Sequence, residues 1–212
     1  MTGISSKGTG AIVADMAAEI VANKAYLSEI DGKIGDGDHG VNMAKGFGRA
    51  AERLKGEETL DEAMQILSDV LMSEIGGSMG PLYGMMFSDM ADALSARPVI
   101  DEAAFARMLR AGLDGVQDIG SAKVGDKTLL DCLVPAVEAF EAAVASNKGF
   151  AEGLGTMKAA AAVGRDSTID LVARVGRSSR LGERSRGVLD AGATSCCMIL
   201  TSLADGIAKR LN

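Results

Sequence analysis

The sequence predicts an all-α fold, and its composition and helical periodicity are the observations that predict it. Hydrophobic residues make up 47% of the 212 residues but aromatic residues only 3%, and tryptophan is absent. A core of this kind is built from aliphatic helix formers. Only three prolines interrupt the chain, so long helices can form. A chain of this length is expected to form a single domain over residues 1–212.

Apolar residues at helical spacing predict eight helices. The first is expected from about Ser5 to Ile30, and the second from about Val41 to Leu54. Thr59 and Glu62 have the spacing of a capping box and predict the start of the third helix. The fourth helix contains Pro81 in its first turn, where proline is tolerated.

The second half of the chain continues the same pattern. Asp101 is the expected N-cap of the fifth helix, and the sixth follows the glycine-containing interruption at Gly120–Thr128. The seventh helix is expected from about Phe150 towards Val175. A polar segment, Gly176–Asp190, then leads to Ala191–Thr194 and to the eighth helix, which carries Met198, Leu203, Ile207 and Leu211.

The connectors alternate in character along the chain. Those after the first, third, fifth and seventh predicted helices hold nearly all the glycine-rich and charged segments. In an antiparallel up-and-down bundle these four connectors lie at one end. Each also leads into a helix N-terminus, whose free N–H groups and positive dipole face that end. The pattern predicts a binding site for an anion there.

The first of these connectors has the composition of a metal-phosphate site. Asp31, Asp36 and Asp38 precede His39, the only histidine, within ten residues that also hold four glycines. Carboxylates and phosphate oxygens are typical Mg²⁺ ligands, and glycines let backbone N–H groups approach a phosphate. An acidic turn between two helices is the alternative. An EF-hand is excluded, because Phe47 stands where its closing glutamate belongs.

Two residue types near this end have more than one interpretation. His39 is interpreted chiefly as a phosphate contact, with a phosphorylated histidine or a general base as alternatives. Four arginines lie within ten residues of an otherwise acidic chain, and at least one is expected to bind phosphate, the alternative being solvated surface charge. These arginines are Arg177, Arg180, Arg184 and Arg186.

Composition excludes several classes of partner. The net charge of −7 and a pI near 4.8 argue against nucleic acid or an anionic membrane. Three cysteines imply no disulfide framework, and the apolar run Ala191–Ala204 is too short to span a bilayer. No signal segment opens the chain, so a cytoplasmic protein is expected. The chain has no P-loop motif.

Five motifs together resemble the L subunit of dihydroxyacetone kinase over essentially the whole chain. The resemblance implies an eight-helix antiparallel barrel with ADP or ATP and two Mg²⁺ ions at one end. The motifs lie at residues 31–43 (Asp31, then Ile34 to Gly40, Asn42 and Met43), 76–84 (Gly-Gly-x-x-Gly-Pro-Leu-Tyr-Gly), 125–128 (Gly-Asp-Lys-Thr), 176–185 (Gly-Arg-x-Ser-x-Leu-Gly-Glu-Arg-Ser) and 190–195 (Asp-x-Gly-Ala-Thr-Ser).

The resemblance also implies roles for individual residues. Asp31, Asp36 and Asp38 would ligate the metal ions, and Arg177 would be catalytic. The residues implied to contact the nucleotide are His39, Gly40, Val41, Asn42, Ser78, Met79, Gly120, Thr128, Leu129, Arg177, Asp190, Ala191 and Gly192.

The family resemblance implies a partner as well. A separate K subunit would hold the ketose covalently on a histidine, so this chain is expected to be inactive alone. The donor is either a phosphohistidine carrier of the sugar phosphotransferase system, which rephosphorylates bound ADP, or exchangeable ATP. Dihydroxyacetone or a small tetrulose is the expected acceptor. A nucleotide-dependent regulatory binding module is an alternative function, and a homodimer is an open possibility.

Overall fold

The computed structural model describes residues 3–211, which fold into nine α-helices, a 3₁₀ helix and two short strands. In chain order these elements are β1 (Gly3–Ser5), α1 (Ala11–Ala22), α2 (Lys24–Ile34), α3 (His39–Arg53), α4 (Leu60–Glu74), α5 (Met79–Leu94), β2 (Val99–Asp101), α6 (Glu102–Ile119), α7 (Leu130–Ala145), α8 (Phe150–Ser167), the 3₁₀ helix (Arg177–Ser185) and α9 (Ala191–Ala208). The all-α prediction is confirmed.

The helices form a closed ring around one core. Helices that follow one another in the chain pack side by side, and α9 packs against α1. Helices α7 and α8 run antiparallel, since Gly153 near the start of α8 meets Phe140, and Gly164 near its end meets Asp131 at the start of α7. Phe105 packs against Phe140 with ring centroids 5.0 Å apart. Each large buried side chain of this kind stabilises the fold by about 1.5–3 kcal/mol.

The predicted first helix is wrong in its bounds, because two helices, α1 and α2, occupy its place. The break is at Asn23, whose side-chain amide donates to the carbonyl and the carboxylate of Glu19, both at 2.9 Å. The Asn23 backbone N–H also donates to the Glu19 carbonyl, at 3.1 Å, so the residue caps the C-terminus of α1 with both its backbone and its side chain. The second piece then continues to Ile34, so Asp31 lies on a helix rather than in a connector.

The predicted seventh helix is also too long. It ends at Ser167 instead of running towards Val175, and Thr168 is its C-cap. The polar segment that follows contains the 3₁₀ helix, which bends at Gly182 (φ 54°). The antiparallel pair β1–β2, with Ile4 opposite Ile100, lay outside the helical predictions.

Two predicted helix starts are confirmed at the level of individual hydrogen bonds. Thr59 and Glu62 form a capping box at the start of α4, where the Thr59 N–H donates to the Glu62 carboxylate at 2.9 Å. Asp101 accepts a hydrogen bond from the Ala104 N–H at 2.7 Å and caps α6. Each cap of this type contributes about 1 kcal/mol.

One helix meets the length and composition of a membrane span. It is α9, whose 18 residues extend beyond the predicted apolar run Ala191–Ala204 to Ala208 and are apolar enough to cross a bilayer, but 67% of them are buried inside the fold. Packing against α1, α7 and α8 explains this apolar composition.

The three cysteines form no disulfide, as predicted, and all three are buried.

Candidate functional site

A cavity of about 510 Å³ opens at one end of the ring. Its walls come from the connectors that precede α3, α5, α7 and α9, from the first residues of those helices, and from the last turns of α2 and α6. Four helix N-termini therefore face one space, as the alternation of the connectors predicted. Free N–H groups and positive helix dipoles make this end of the protein favourable for a bound anion.

Thirteen of the sixteen residues implied as site residues line this cavity. They are Asp31, Asp36, Asp38, His39, Ser78, Met79, Gly120, Thr128, Leu129, Arg177, Asp190, Ala191 and Gly192. The other three, Gly40, Val41 and Asn42, belong to the first turn of α3 but lie outside the lining.

Three carboxylates cluster at the edge of the cavity. Asp31 projects from the last turn of α2, Asp36 from the connector and Asp38 from the position before α3, and one oxygen of each lies within 4.8 Å of the others. We call these residues the carboxylate triad. Like charges this close repel one another unless a cation intervenes. Oxygen donors from three carboxylates fit Mg²⁺, whose coordination shell is usually completed by water and phosphate oxygens.

The backbone before α3 is shaped to bring the triad together. Gly37 adopts φ 76°, a conformation that favours glycine. The Asp31 carboxylate accepts a hydrogen bond from the His39 N–H at 3.3 Å and so joins the end of α2 to the start of α3. A Cβ at Gly40 would lie 2.1 Å from the Lys24 carbonyl. The glycine at position 40 is therefore required by helix packing.

His39 is buried, and one of its ring nitrogens is engaged inside the protein. Nε2 lies 2.9 Å from the Ser195 hydroxyl, which lies 2.7 Å from the hydroxyl of Tyr83. The Tyr83 hydroxyl donates to the Gly192 carbonyl at 3.0 Å. Burial lowers the pKa of His39 to about 4, so the imidazole is neutral at neutral pH. Within residues 3–211, Nδ1 makes no hydrogen bond.

Asp190 shapes the start of α9. Its carboxylate accepts a hydrogen bond from the Ala193 N–H at 2.7 Å and caps the helix. Burial raises the pKa of Asp190 to about 6, while the Ala193 hydrogen bond and the Lys127 ammonium act in the opposite direction. The buried ammonium of Lys127 thus offsets part of the negative charge of Asp190.

Arg177 reaches the triad from the other side of the cavity. It is the first residue of the 3₁₀ helix and forms an ion pair with Asp36. Gly176, just before it, has φ 74° and turns the chain. We call residues 169–187, which include this helix, the arginine loop. The side chain of Arg186 donates hydrogen bonds within the loop, to the Glu183 carboxylate at 3.1 Å and to the Asp170 carbonyl.

The remaining wall of the cavity is apolar. Residues at the start of α5, at the end of α6 and just before α7 form it, namely Met79, Pro81, Leu82, Val116, Ile119 and Leu129. Four of these, Pro81, Leu82, Val116 and Ile119, did not appear among the implied contacts. A cavity that is apolar at one side and lined by charges and N–H groups at the other suits a ligand with an aromatic part and an anionic part.

Sequence reasoning missed four buried polar residues around the site. They are Tyr83, Lys127, Asp131 and Ser195, each exposed by 3% or less. All four lie in or next to motifs of the resemblance, and this position is the one signal that could have marked them. Tyr83, Lys127 and Ser195 have partners that lie far away in the sequence, so spacing alone does not reveal what these three residues bind.

Comparison with known proteins identifies related chains. A family model described as DAK2 domain matches residues 33–205. The ADP-binding subunit DhaL of the PEP-dependent dihydroxyacetone kinase of Escherichia coli is 38% identical over 181 residues, which cover 84% of this chain and 86% of that protein. The ADP-binding subunit DhaL of the PTS-dependent dihydroxyacetone kinase of Lactococcus lactis is 35% identical over 192 residues, 90% of this chain and 92% of that protein.

A solved structure has the same fold. The dihydroxyacetone kinase from C. freundii in complex with AMP-PNP and Mg²⁺ superposes with a TM-score of 0.68 and 25% sequence identity. The match covers 93% of this chain and 33% of that one, so this chain spans about a third of that enzyme.

Proposed function

This chain belongs to the DAK2 domain family, and we propose that it is the nucleotide-binding subunit of a dihydroxyacetone kinase. In this role it passes a phosphoryl group through its bound nucleotide to a ketose. The observation that carries the proposal is the convergence of the carboxylate triad, Arg177 and four helix N-termini on one cavity. Phosphoryl transfer depends on positioning and charge stabilisation, and this set of groups provides both.

The carboxylate triad is proposed to hold Mg²⁺, as two ions. Asp31, Asp36 and Asp38 offer hard oxygen donors within 4.8 Å of one another, and phosphate oxygens would complete the coordination. When bound, Mg²⁺ neutralises charge that develops on the transferring phosphoryl group. The chain's own contribution is to fix three carboxylates at the edge of the cavity before a ligand arrives.

The nucleotide is proposed to lie across the cavity. Its phosphates would be bound by the N-termini of α3, α5, α7 and α9, including the backbone at Ser78 and Gly192. Its base would pack on the apolar wall near Leu82 and Ile119. His39 would contribute through Nδ1, because Nε2 is engaged with Ser195.

Arg177 is proposed to stabilise the phosphoryl group during transfer. Its guanidinium pairs with Asp36 in the structure, which holds it where metal and phosphate oxygens would meet. Planar guanidinium groups bind phosphate oxygens in a bidentate manner. The residue is therefore both a nucleotide contact and a catalytic group in this proposal.

The acceptor ketose is proposed to reside on a separate K subunit. The only histidine of this chain is buried and bonded to Ser195, so it is not available to hold a ketose covalently. The chain would be inactive without the partner, and both would work in the cytoplasm. Neither nucleic acid nor a membrane is a proposed partner.

The names of the relatives favour one phosphoryl donor. The E. coli and L. lactis proteins are ADP-binding subunits of PEP-dependent and PTS-dependent kinases. We infer a cofactor-like ADP that is rephosphorylated in place by a phosphohistidine carrier. The AMP-PNP complex of the C. freundii kinase favours a second candidate, in which ATP binds, reacts and leaves as ADP.

One experiment separates these candidates. The purified protein is denatured, and any released nucleotide is identified by chromatography and mass spectrometry. Stoichiometric ADP is expected for the cofactor-like role, and an empty protein that binds MgATP reversibly supports the ATP-dependent role. A protein that neither carries nor binds a nucleotide, with or without Mg²⁺ in calorimetry, contradicts the proposed function.

A further inference from the structure

The two ends of the arginine loop meet. The Gly187 N–H donates to the Ile169 carbonyl at 2.7 Å, and the Asp190 N–H donates to the Thr168 hydroxyl at 3.0 Å. The chain thus leaves and returns at one place, which we call the neck. Because Arg177 lies on this loop, its position depends on how firmly the neck is closed.

A buried lysine closes the neck from inside. Lys127 is 1% exposed, and its ammonium group donates to the carbonyls of Thr168 and Val188, one on each side of the neck. Thr168 is the C-cap of α8, so the cation also lies at the negative end of that helix dipole. A buried ammonium is costly without hydrogen-bond partners, and Lys127 therefore stays buried only while both carbonyls remain in place.

The backbone around Lys127 is held in an unusual conformation. The residue has φ 63°, in the left-handed region that side-chain-bearing residues rarely adopt. Asp131 accepts hydrogen bonds from the N–H groups of Gly125 at 2.6 Å and Thr128 at 2.7 Å, on either side of it. The turn is thus fixed by a buried carboxylate. Backbone strain maintained in this way is typical of functional positions.

The same turn contacts the loop a second time. The Asp126 carbonyl accepts a hydrogen bond from the Arg174 N–H at 3.1 Å, three residues before Arg177. From there the loop carries Arg177 to its ion pair with Asp36. The described hydrogen bonds and ion pairs of Lys127 include none to the triad. Lys127 itself lines the cavity, but its described contacts reach the triad through the loop.

We propose that Lys127 is a positioning residue that clasps the neck of the arginine loop and so sets Arg177 over the carboxylate triad. The inference rests on the proposed function only for the role of Arg177 in transfer. The effect on the loop is independent of that role and is measurable without any activity assay. The two parts are therefore tested separately.

Limited trypsin digestion of the nucleotide-free protein tests the clasp, because trypsin cleaves after arginine and the loop contains five. Lys127→Met keeps the length of the side chain and removes the charge. It is expected to raise the rate of cleavage within the loop by about 10-fold, since local opening becomes easier. Lys123→Met, at an exposed lysine four residues earlier, is the matched control and should leave the rate unchanged. Equal rates in the two variants, with both folded by circular dichroism, contradict the proposal.

A measurement on the unaltered protein keeps the test decisive if Lys127→Met does not fold. Amide hydrogen exchange should show slow exchange for the N–H groups of Gly187 and Arg174, which close and dock the loop. Their protection is expected to exceed that of exposed loop amides by about 100-fold. Exchange of both amides at the rate of an unprotected loop would overturn the clasp.

A double-mutant cycle tests whether Lys127 acts through Arg177. With a K subunit and ketose present, Lys127→Met should lower the rate of phosphoryl transfer on the order of 10- to 100-fold, the effect of a misplaced catalytic group. The same change should cause no further loss in an Arg177→Met background. Losses that multiply contradict the proposal. Unchanged transfer in Arg177→Met alone refutes the role of Arg177 and leaves the digestion result on the loop intact.

Discussion

Arg177 and Asp36 lie far apart in the sequence and form an ion pair at the edge of the cavity. Asp36 is at the same time a member of the carboxylate triad. The pair joins the group proposed to act on the phosphate to the group proposed to hold the metal. Substitution of Asp36 should therefore chiefly weaken nucleotide binding, whereas substitution of Arg177 should chiefly slow phosphoryl transfer.

Asp36→Ala is expected to weaken Mg²⁺-dependent nucleotide binding strongly while the helices stay folded. Loss of one charged ligand costs about 3 kcal/mol, which corresponds to a reduction in affinity of about 100-fold. Calorimetric titration with MgADP, together with circular dichroism, measures both quantities. Asp92→Ala, on the exposed far end of α5, is the control. An unchanged affinity in Asp36→Ala would refute the metal-site assignment.

Arg177→Met is expected to slow phosphoryl transfer far more than it weakens nucleotide binding. An arginine that stabilises the charge on the transferring group contributes about 1000-fold or more to kcat. Single-turnover transfer to a ketose on the K subunit measures the effect. Arg184, on the same loop, makes no side-chain ion pair within residues 3–211, and Arg184→Met should transfer at the normal rate. Equal slowing in both variants would indicate general loop damage.

The single histidine allows a direct test of the site's electrostatics. In metal-free protein, its NMR titration should give a pKa of about 4, because burial disfavours the imidazolium form. Ser195→Ala removes the partner of Nε2 and should change the ring nitrogen shifts. A midpoint near 6.5, the value of an exposed histidine, would show that the ring is not buried as described.

The same pKa shift makes stability depend on pH. The unfolded chain takes up a proton on His39 near pH 6.5 and the folded protein near pH 4, so protons bind the unfolded state more strongly in this window. The free energy of unfolding should therefore fall as pH is lowered from about 6.5 to 4, by about 3 kcal/mol for this group. Urea unfolding of the wild type and of His39→Gln measures the difference. The wild type should lose more stability than the variant over this window.

Two glycine substitutions separate helix packing from helix propensity. Gly40→Ala places a Cβ 2.1 Å from the Lys24 carbonyl and should destabilise the fold by about 3 kcal/mol. Gly155→Ala on α8 meets nothing within 4 Å and should stabilise it by about 0.5–1 kcal/mol. Chemical denaturation of both variants provides the comparison. Equal stabilities would mean that α2 and α3 are not in close contact at Gly40.

Local signals in the sequence predicted much of the fold and part of the site. The capping box at Thr59 and the cap at Asp101 depend on residues three positions apart, so spacing reveals them. The alternation of connectors located the site, because topology decides which end of a helix each connector occupies. The triad followed from residue type and proximity in the chain.

Features that depend on contacts between distant segments were missed. The helix break at Asn23 lies inside a continuous apolar pattern. A side chain that donates a hydrogen bond to a carbonyl at the end of a helix leaves no periodic signal in the sequence. The hydrogen bond between His39 and Ser195 joins α3 to α9, and Lys127 binds carbonyls more than forty residues away. Sequence periodicity describes one helix at a time and cannot show such pairs.

The closed neck of the arginine loop has a practical consequence for protein engineering. Since the ends of the loop are bonded to each other at Ile169 and Gly187, the distance between α8 and α9 does not depend on what the loop contains. A shorter, longer or chimeric insert that keeps Arg174 and Arg177 can then be exchanged between these two points while the neck stays closed. The rest of the loop is a replaceable segment, and variants that change the mouth of the cavity can be built there.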